Sequence, residues 1–119
     1  MAQRYPQVEN PLTILIFEDN LIWGPRLTKT AAAFGHEPVV LSKMPQTIPD
    51  GDAAILNLSS KKFQLDDLVP ALKAKGIKVI AHAGHKEKEL FELGKGLGCD
   101  VLATNGEITN KLDKILAEL

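Results

Sequence analysis

Hydrophobic residues along this chain gather in five short, nearly unbroken runs, at 12–17, 38–41, 53–58, 77–81 and 100–103. A run that is apolar at successive positions suits a strand buried on both faces, as in a parallel sheet covered by helices. Most of the intervals between the runs carry helical periodicity instead. Strands alternating with helices predict a doubly wound α/β fold with a five-stranded sheet. Residues 1–11 hold Pro6 and Pro11 among mostly polar neighbours and read as an N-terminal extension, which leaves 12–119 as the domain.

The predicted helices differ in quality. In the last, Ile108, Leu112, Ile115 and Leu119 fall at i, i+4, i+7 and i+11, an apolar stripe between charged positions. The helix at about 86–97 places Leu90, Leu93 and Leu97 inward. Gly94 and Gly96 lie in its last turns, each costing about 1 kcal/mol against alanine, so that end is expected to fray or move. The helix at 65–75 turns Leu65, Leu68 and Leu72 inward and has Gly76 to end it. Pro70 predicts a kink there, or a start near Val69. In the first helix, about 20–34, either Asn20 caps a kinked helix or residues 21–24 form a turn and Pro25 takes the first helical position; the second reading is preferred. Between the second and third strands, residues 42–52 contain two prolines and a glycine, so the helix expected there is shortened or absent.

Composition removes several function classes. The net charge of −1 leaves no excess of positive charge to neutralise phosphates, against nucleic acid as a direct partner. Apolar runs of about six residues fall far short of a membrane span. A single cysteine, Cys99, excludes an internal disulfide and fits a reducing compartment, so a cytoplasmic protein is expected.

The order and spacing of several motifs are similar to those of response-regulator receiver domains, the CheY-like phosphorylatable modules of two-component signalling, over about 12–119. Residues 14–20, with the acidic pair Glu18 and Asp19, resemble the family's first strand and its end. Gly35 then lies sixteen positions after Asp19, and 34–39 resemble the entry to the second strand. Residues 54–58 resemble the phosphoacceptor strand, 77–85 the fourth strand, and 97–100 the turn into the fifth. The resemblance implies a flavodoxin-like sheet in the order 2-1-3-4-5. In such domains two acidic residues and the phosphoacceptor aspartate hold Mg²⁺, and that aspartate attacks a phosphoryl donor.

The departures fall on the chemistry. Asn57 stands at the nucleophile position, and an amide is neutral and a poor nucleophile. The family's switch Ser/Thr falls on Ala83, its strand-five lysine and proline on Asn105 and Gly106, and its strand-five aromatic on Leu102. With these lost together, the resemblance implies a degenerate pseudo-receiver that carries out no catalysis. Its pseudo-active site is Glu18, Asp19, Asn57, Ala83 and Asn105. Glu18 and Asp19 retain at best a weak Mg²⁺ site, and no other cofactor is expected. Asn57 is expected either to bond the acidic pair, imitating one fixed switch state, or to have no special role.

His82, His85 and Ser59 are the further polar residues expected around a strand-end crevice. A zinc reading of His82 and His85 is disfavoured, because positions i and i+3 at a strand end do not converge as they do on a helix. Ser59 and Ser60 read as a loop turn, and Gly94, Gly96 and Gly98 as a helix end rather than a nucleotide fingerprint. Trp23 and Phe91 read as core packing or partner anchors.

The leading expectation is a phosphorylation-independent module acting by contact with a signalling protein or by homodimerisation, in a two-component or phosphorelay-related pathway. The resemblance puts the partner face at about 86–119, where Phe91, Lys95, Glu107 and Lys111 belong to a mixed-charge surface. The alternatives are a small-ligand or divalent-metal sensor using the strand-end crevice, and phosphorylation at another residue. The chain carries no recognisable effector region, which fits a stand-alone module or a piece of a larger regulator.

Overall fold

The computed structural model describes residues 11–119; all but the last residue of the N-terminal extension read at 1–11 lies outside the described residues. The chain runs β1 (Thr13–Phe17), α1 (Trp23–Ala33), β2 (Glu37–Leu41), β3 (Ala53–Asn57), α2 (Leu65–Ala74), β4 (Lys78–Ala83), α3 (Lys88–Leu97), β5 (Val101–Thr104), α4 (Asn105–Asn110) and α5 (Leu112–Ala117). All strand pairs are parallel, in the order β2-β1-β3-β4-β5. This is the flavodoxin-like doubly wound sheet.

The sheet sorts its side chains by parity. Leu15, Phe17, Ala54, Leu56, Val79, Ala81 and Ala83 pack with Leu65, Leu68 and Leu72 of α2 and the inner side of α3. Ile14, Ile16, Ala53, Ile55, Ile80 and Ala103 pack with Leu27 and Ala31 of α1 and with Ile108, Leu112 and Leu116 of α4 and α5. Each fully buried aliphatic side chain contributes about 1.5–3 kcal/mol, which explains why five continuous apolar runs settle between two helical layers. Residues 42–52 form no helix, as expected; Met44 and Ile48 from that loop pack against the α2 side of the core in its place.

Local expectations change in three of the predicted helices, and the start of α2 is settled. The helix α1 starts at Trp23, with the Asn20 side chain accepting from the N–H groups of Ile22 and Trp23 at 2.8 and 3.1 Å. Asn20 is therefore the capping group, and Pro25 sits inside the first turn rather than opening the helix. The helix α2 starts at Leu65, four residues before Val69, and carries Pro70 within it. Pro70 is exposed, so the carbonyl it leaves without a helical partner faces water.

The stripe on α3 is rotated from the expected one. Leu93 points outward at 40% exposure, while Leu90, Phe91 and Leu97 pack against the core and Gly94 is buried. A Cβ on Gly94 would stand 2.6 Å from Leu102 Cδ2, so the glycine is what lets helix and sheet approach. Gly98, at φ 86°, caps the helix in the left-handed conformation that glycine alone adopts without strain. The expected fraying end is thus a close-packed, capped one.

The last predicted helix is two short ones. Lys111, at φ −127° and ψ 21°, separates α4 from α5. The break re-phases the stripe to Ile108, Leu112 and Leu116; Ile115 is only partly buried and Leu119 is 38% exposed.

Candidate functional site

Parity and register together build a polar row at the C-terminal ends of the strands. Glu18, Asn57 and His82 each lie two residues beyond a core isoleucine, Ile16, Ile55 and Ile80, and so face the same side of the sheet. Asn105 continues the row two residues beyond Ala103. Glu18, Asn57 and His82 are the buried polar side chains of the described residues.

The row is hydrogen-bonded to itself. Asn57 Nδ2 donates to Glu18 Oε1 and Oε2 at 3.1 and 3.3 Å, and the Asn20 N–H donates to Glu18 Oε2 at 3.3 Å. Asn57 Oδ1 accepts from the Ser59 N–H at 3.0 Å and Ser59 Oγ at 2.7 Å. His82 Nδ1 lies 2.7 Å from Asn105 Oδ1; an oxygen at that distance accepts, so the ring proton sits on Nδ1. His82 Nε2 then stands 3.6 Å from Glu18 Oε1. That gap is too long for a hydrogen bond, so Nε2 is a buried nitrogen without a hydrogen-bond partner. Trp23 covers the ring edge-on at 5.9 Å, and Arg26 lies 5.2 Å above the indole.

A divalent cation does not fit this donor set. Both Glu18 oxygens and the Asn57 oxygen are already taken by protein N–H and O–H groups, and Asn57 directs its amide nitrogen, not its oxygen, at Glu18. Asp19 turns the other way and accepts from Ser60 Oγ at 2.7 Å. Among the described residues no three His, Cys, Asp or Glu side chains converge on a metal-sized site. The pair expected to hold a weak Mg²⁺, Glu18 and Asp19, is split: Glu18 is buried against Asn57 and Asp19 is bonded to Ser60.

Other expected members are also separated. Ala83 is buried in the α2-side core, on the opposite face of the sheet from Asn57. His85 is exposed, past the end of β4, and does not line the row with His82. Ser59 does join it, through Asn57. On the expected partner face, Phe91 is half-buried against the core, whereas Lys95, Glu107 and Lys111 are exposed.

Sequence reasoning missed two things. Thr104 and Glu107 form a capping box that starts α4 directly on the end of β5: Glu107 N donates to Thr104 Oγ1 at 3.1 Å and Thr104 N to Glu107 Oε1 at 2.9 Å. The Ser/Thr-x-x-Glu spacing was the available signal. The Thr104 N–H also holds the Glu107 carboxyl below the usual range. The Asn105–His82 contact had no such signal, because it joins residues from two strand ends.

The sheet order and the flanking helices are those of the receiver fold. Over 92% of this chain it matches CheY4, a chemotaxis response regulator of Vibrio cholerae, at a TM-score of 0.71 and 13% identity, covering 98% of that chain. A response regulator receiver protein from Burkholderia phymatum matches at 0.73 and 13%, with 92% of this chain and 94% of that one covered. NtrX from Brucella abortus matches over 92% of this chain at 0.71 and 13%, but the chain spans only 26% of NtrX. At these identities the likeness is one of fold. No family model and no curated protein matches the sequence. No helix of the described residues is long and apolar enough to cross a membrane.

Proposed function

We propose that the chain is a degenerate receiver-like module of two-component or phosphorelay-related signalling that takes no phosphoryl group and works through protein–protein contact. The observation that carries the reading is the Asn57–Glu18 bond. The side chain at the phosphoacceptor position is an amide whose nitrogen is committed to the first-strand carboxylate and whose oxygen is committed to Ser59. Phosphoryl transfer needs a nucleophile, a cation and donors for the developing charge; Asn57, the self-satisfied Glu18 and the hydroxyl-free Ala83 supply none of them. The receiver fold of its structural neighbours, several of which are response regulators, supports the signalling part of the reading.

The burial of Glu18, Asn57 and His82 speaks against the sensor alternative, since a ligand there would have to displace bonds already made. The test is incubation with acetyl phosphate followed by intact-mass measurement, together with a backbone amide NMR titration with Mg²⁺ and beryllofluoride. The expected result is no phosphoryl mass increment and no shift around Glu18, Asn57 and Ala83. Saturable shifts spreading from Asn57 into 86–119 would refute the reading, and label on Ser59 or Ser60 would replace it with the alternative-residue one.

A further inference from the structure

The face expected to meet partners, 86–119, exposes little apolar surface: Leu93 is 40% and Leu119 38% exposed. The opposite edge of the sheet exposes far more. Leu21 is 90%, Ile22 65% and Val40 47% exposed, the three most exposed large apolar side chains of the described residues. Isolated surface hydrophobes need no explanation, but Leu21 and Val40 border one feature. A groove of about 440 Å³ runs between α1 and β2, with mostly apolar walls; Leu21 forms its upper rim, and Pro25, Ala32 and Val40 line it.

The same surface thus carries a projecting Leu21 beside a hollow. It is also electrically two-ended. Asp19 lies at the end nearest the strand termini, and Lys29 lies on the wall further down α1. Glu18, though it borders the groove, is buried and held by Asn57. A surface with a knob beside a hole and opposite charges at its ends is complementary to itself turned by a twofold axis. Extension of the sheet is a poorer route. The Glu37 N–H and the Leu41 carbonyl bond toward β1, so Pro38 and Val40 present the outer edge of β2, and proline has no N–H to offer there.

We propose that the occupant of this groove is a second copy of the chain, with Leu21 of each protomer seated in the groove of the other and Lys29 facing the partner's Asp19. This rests on the reading of the module as one that acts by protein contact and names its partner and face. The phosphoryl-transfer experiment bears on that reading alone; oligomeric state bears on this one.

The experiment is sedimentation velocity of the full chain across the micromolar-to-millimolar range, with three variants of exposed or partly exposed residues checked for folding by circular dichroism. The wild type is expected to move from monomer to dimer with concentration. Leu21→Asp should weaken association more than about tenfold, because each dimer buries two copies. Lys29→Glu and Asp19→Lys should each weaken it alone, and an equimolar mixture of the two should dimerise, since both cross-contacts are then restored. A monomer at every concentration would overturn the proposal, whether residues 1–10 or another protein fill the groove. So would a dimer indifferent to Leu21→Asp.

Discussion

His82 Nε2 and Glu18 Oε1 stand 3.6 Å apart with both side chains sealed from solvent, and the same Glu18 oxygen accepts from Asn57 Nδ2 at 3.1 Å. That carboxylate oxygen is hydrogen-bonded to Asn57 and only faces His82, across three strand ends. This makes the amide of Asn57 a structural requirement of the row.

Asn57→Asp should accordingly destabilise the protein. It sets a second carboxylate against Glu18 where an N–H donor stood, and should cost about 2–4 kcal/mol at neutral pH. Adding Glu18→Gln to that variant restores a donor–acceptor pair and should recover most of the loss. Urea unfolding of the single and double variants measures both. Equal stability of Asn57→Asp and wild type would contradict the role given to the bond.

Two glycines two residues apart should respond with opposite signs. Gly94→Ala meets Leu102 Cδ2 at 2.6 Å and Leu58 Cδ1 at 3.2 Å, an overpacking cost of about 1–3 kcal/mol that outweighs the helix-propensity gain. Gly96→Ala meets nothing within 4 Å and keeps an ordinary helical φ, so it should stabilise by up to about 1 kcal/mol. Thermal unfolding of the pair separates packing from propensity.

Thr104→Ala removes one half of the capping box that starts α4 without a loop. A loss of about 1 kcal/mol is expected, together with a rise of the Glu107 pKa toward its ordinary value as the cap loosens. Chemical denaturation and a carboxyl NMR titration report the two effects separately.

Acid should destabilise the protein in two windows. Burial holds His36 below its ordinary value of 6.5, and its Nδ1 accepts the Leu12 N–H at 3.0 Å, which requires the neutral ring. A histidine whose folded pKa is lowered supplies stability above 6.5 that is lost as pH falls from there toward the folded value. His36→Asn keeps an acceptor that does not titrate and should flatten this window.

At Asp100, burial pushes the carboxyl up, but the Val79 N–H at 2.8 Å and Lys73 at 3.3 Å outweigh it and leave the pKa below 3.8. That contribution is complete above 3.8 and lost as pH falls through the folded value, so Asp100→Asn should remove the second window. Unfolding free energies measured from pH 8 to pH 2 test both.

The site was half legible. The resemblance put Asn57 at the family's phosphoacceptor position and gave a bond to the acidic pair as one of two outcomes, and the bond to Glu18 is present. His82 was legible only as a crevice residue at a strand end, because the apolar run of the fourth strand stops at residue 81. The strand continues to Ala83, which pairs His82 with Asn57 and Ala103 and buries it. Sequence pattern locates a strand by where apolar residues stop, and a buried histidine looks like that stop.

What the sequence determined by itself is the alternation of elements and the absence of a helix at 42–52. Five apolar runs have only a two-faced burial to satisfy them, and two prolines with a glycine cannot hold a helix. What only the tertiary structure decided is which way each marginal residue faces. Gly94 turns inward and Leu93 outward because α3 approaches Leu102 more closely than any side chain would allow. Lys111 breaks the last helix, which brings Leu116 rather than Leu119 into the core. Glu18 and Asp19, adjacent in the chain, part company because alternate residues of a strand face opposite sides and only one side offers Asn57. Distances between strand ends belong to the register of the sheet, and no local pattern in the chain encodes them.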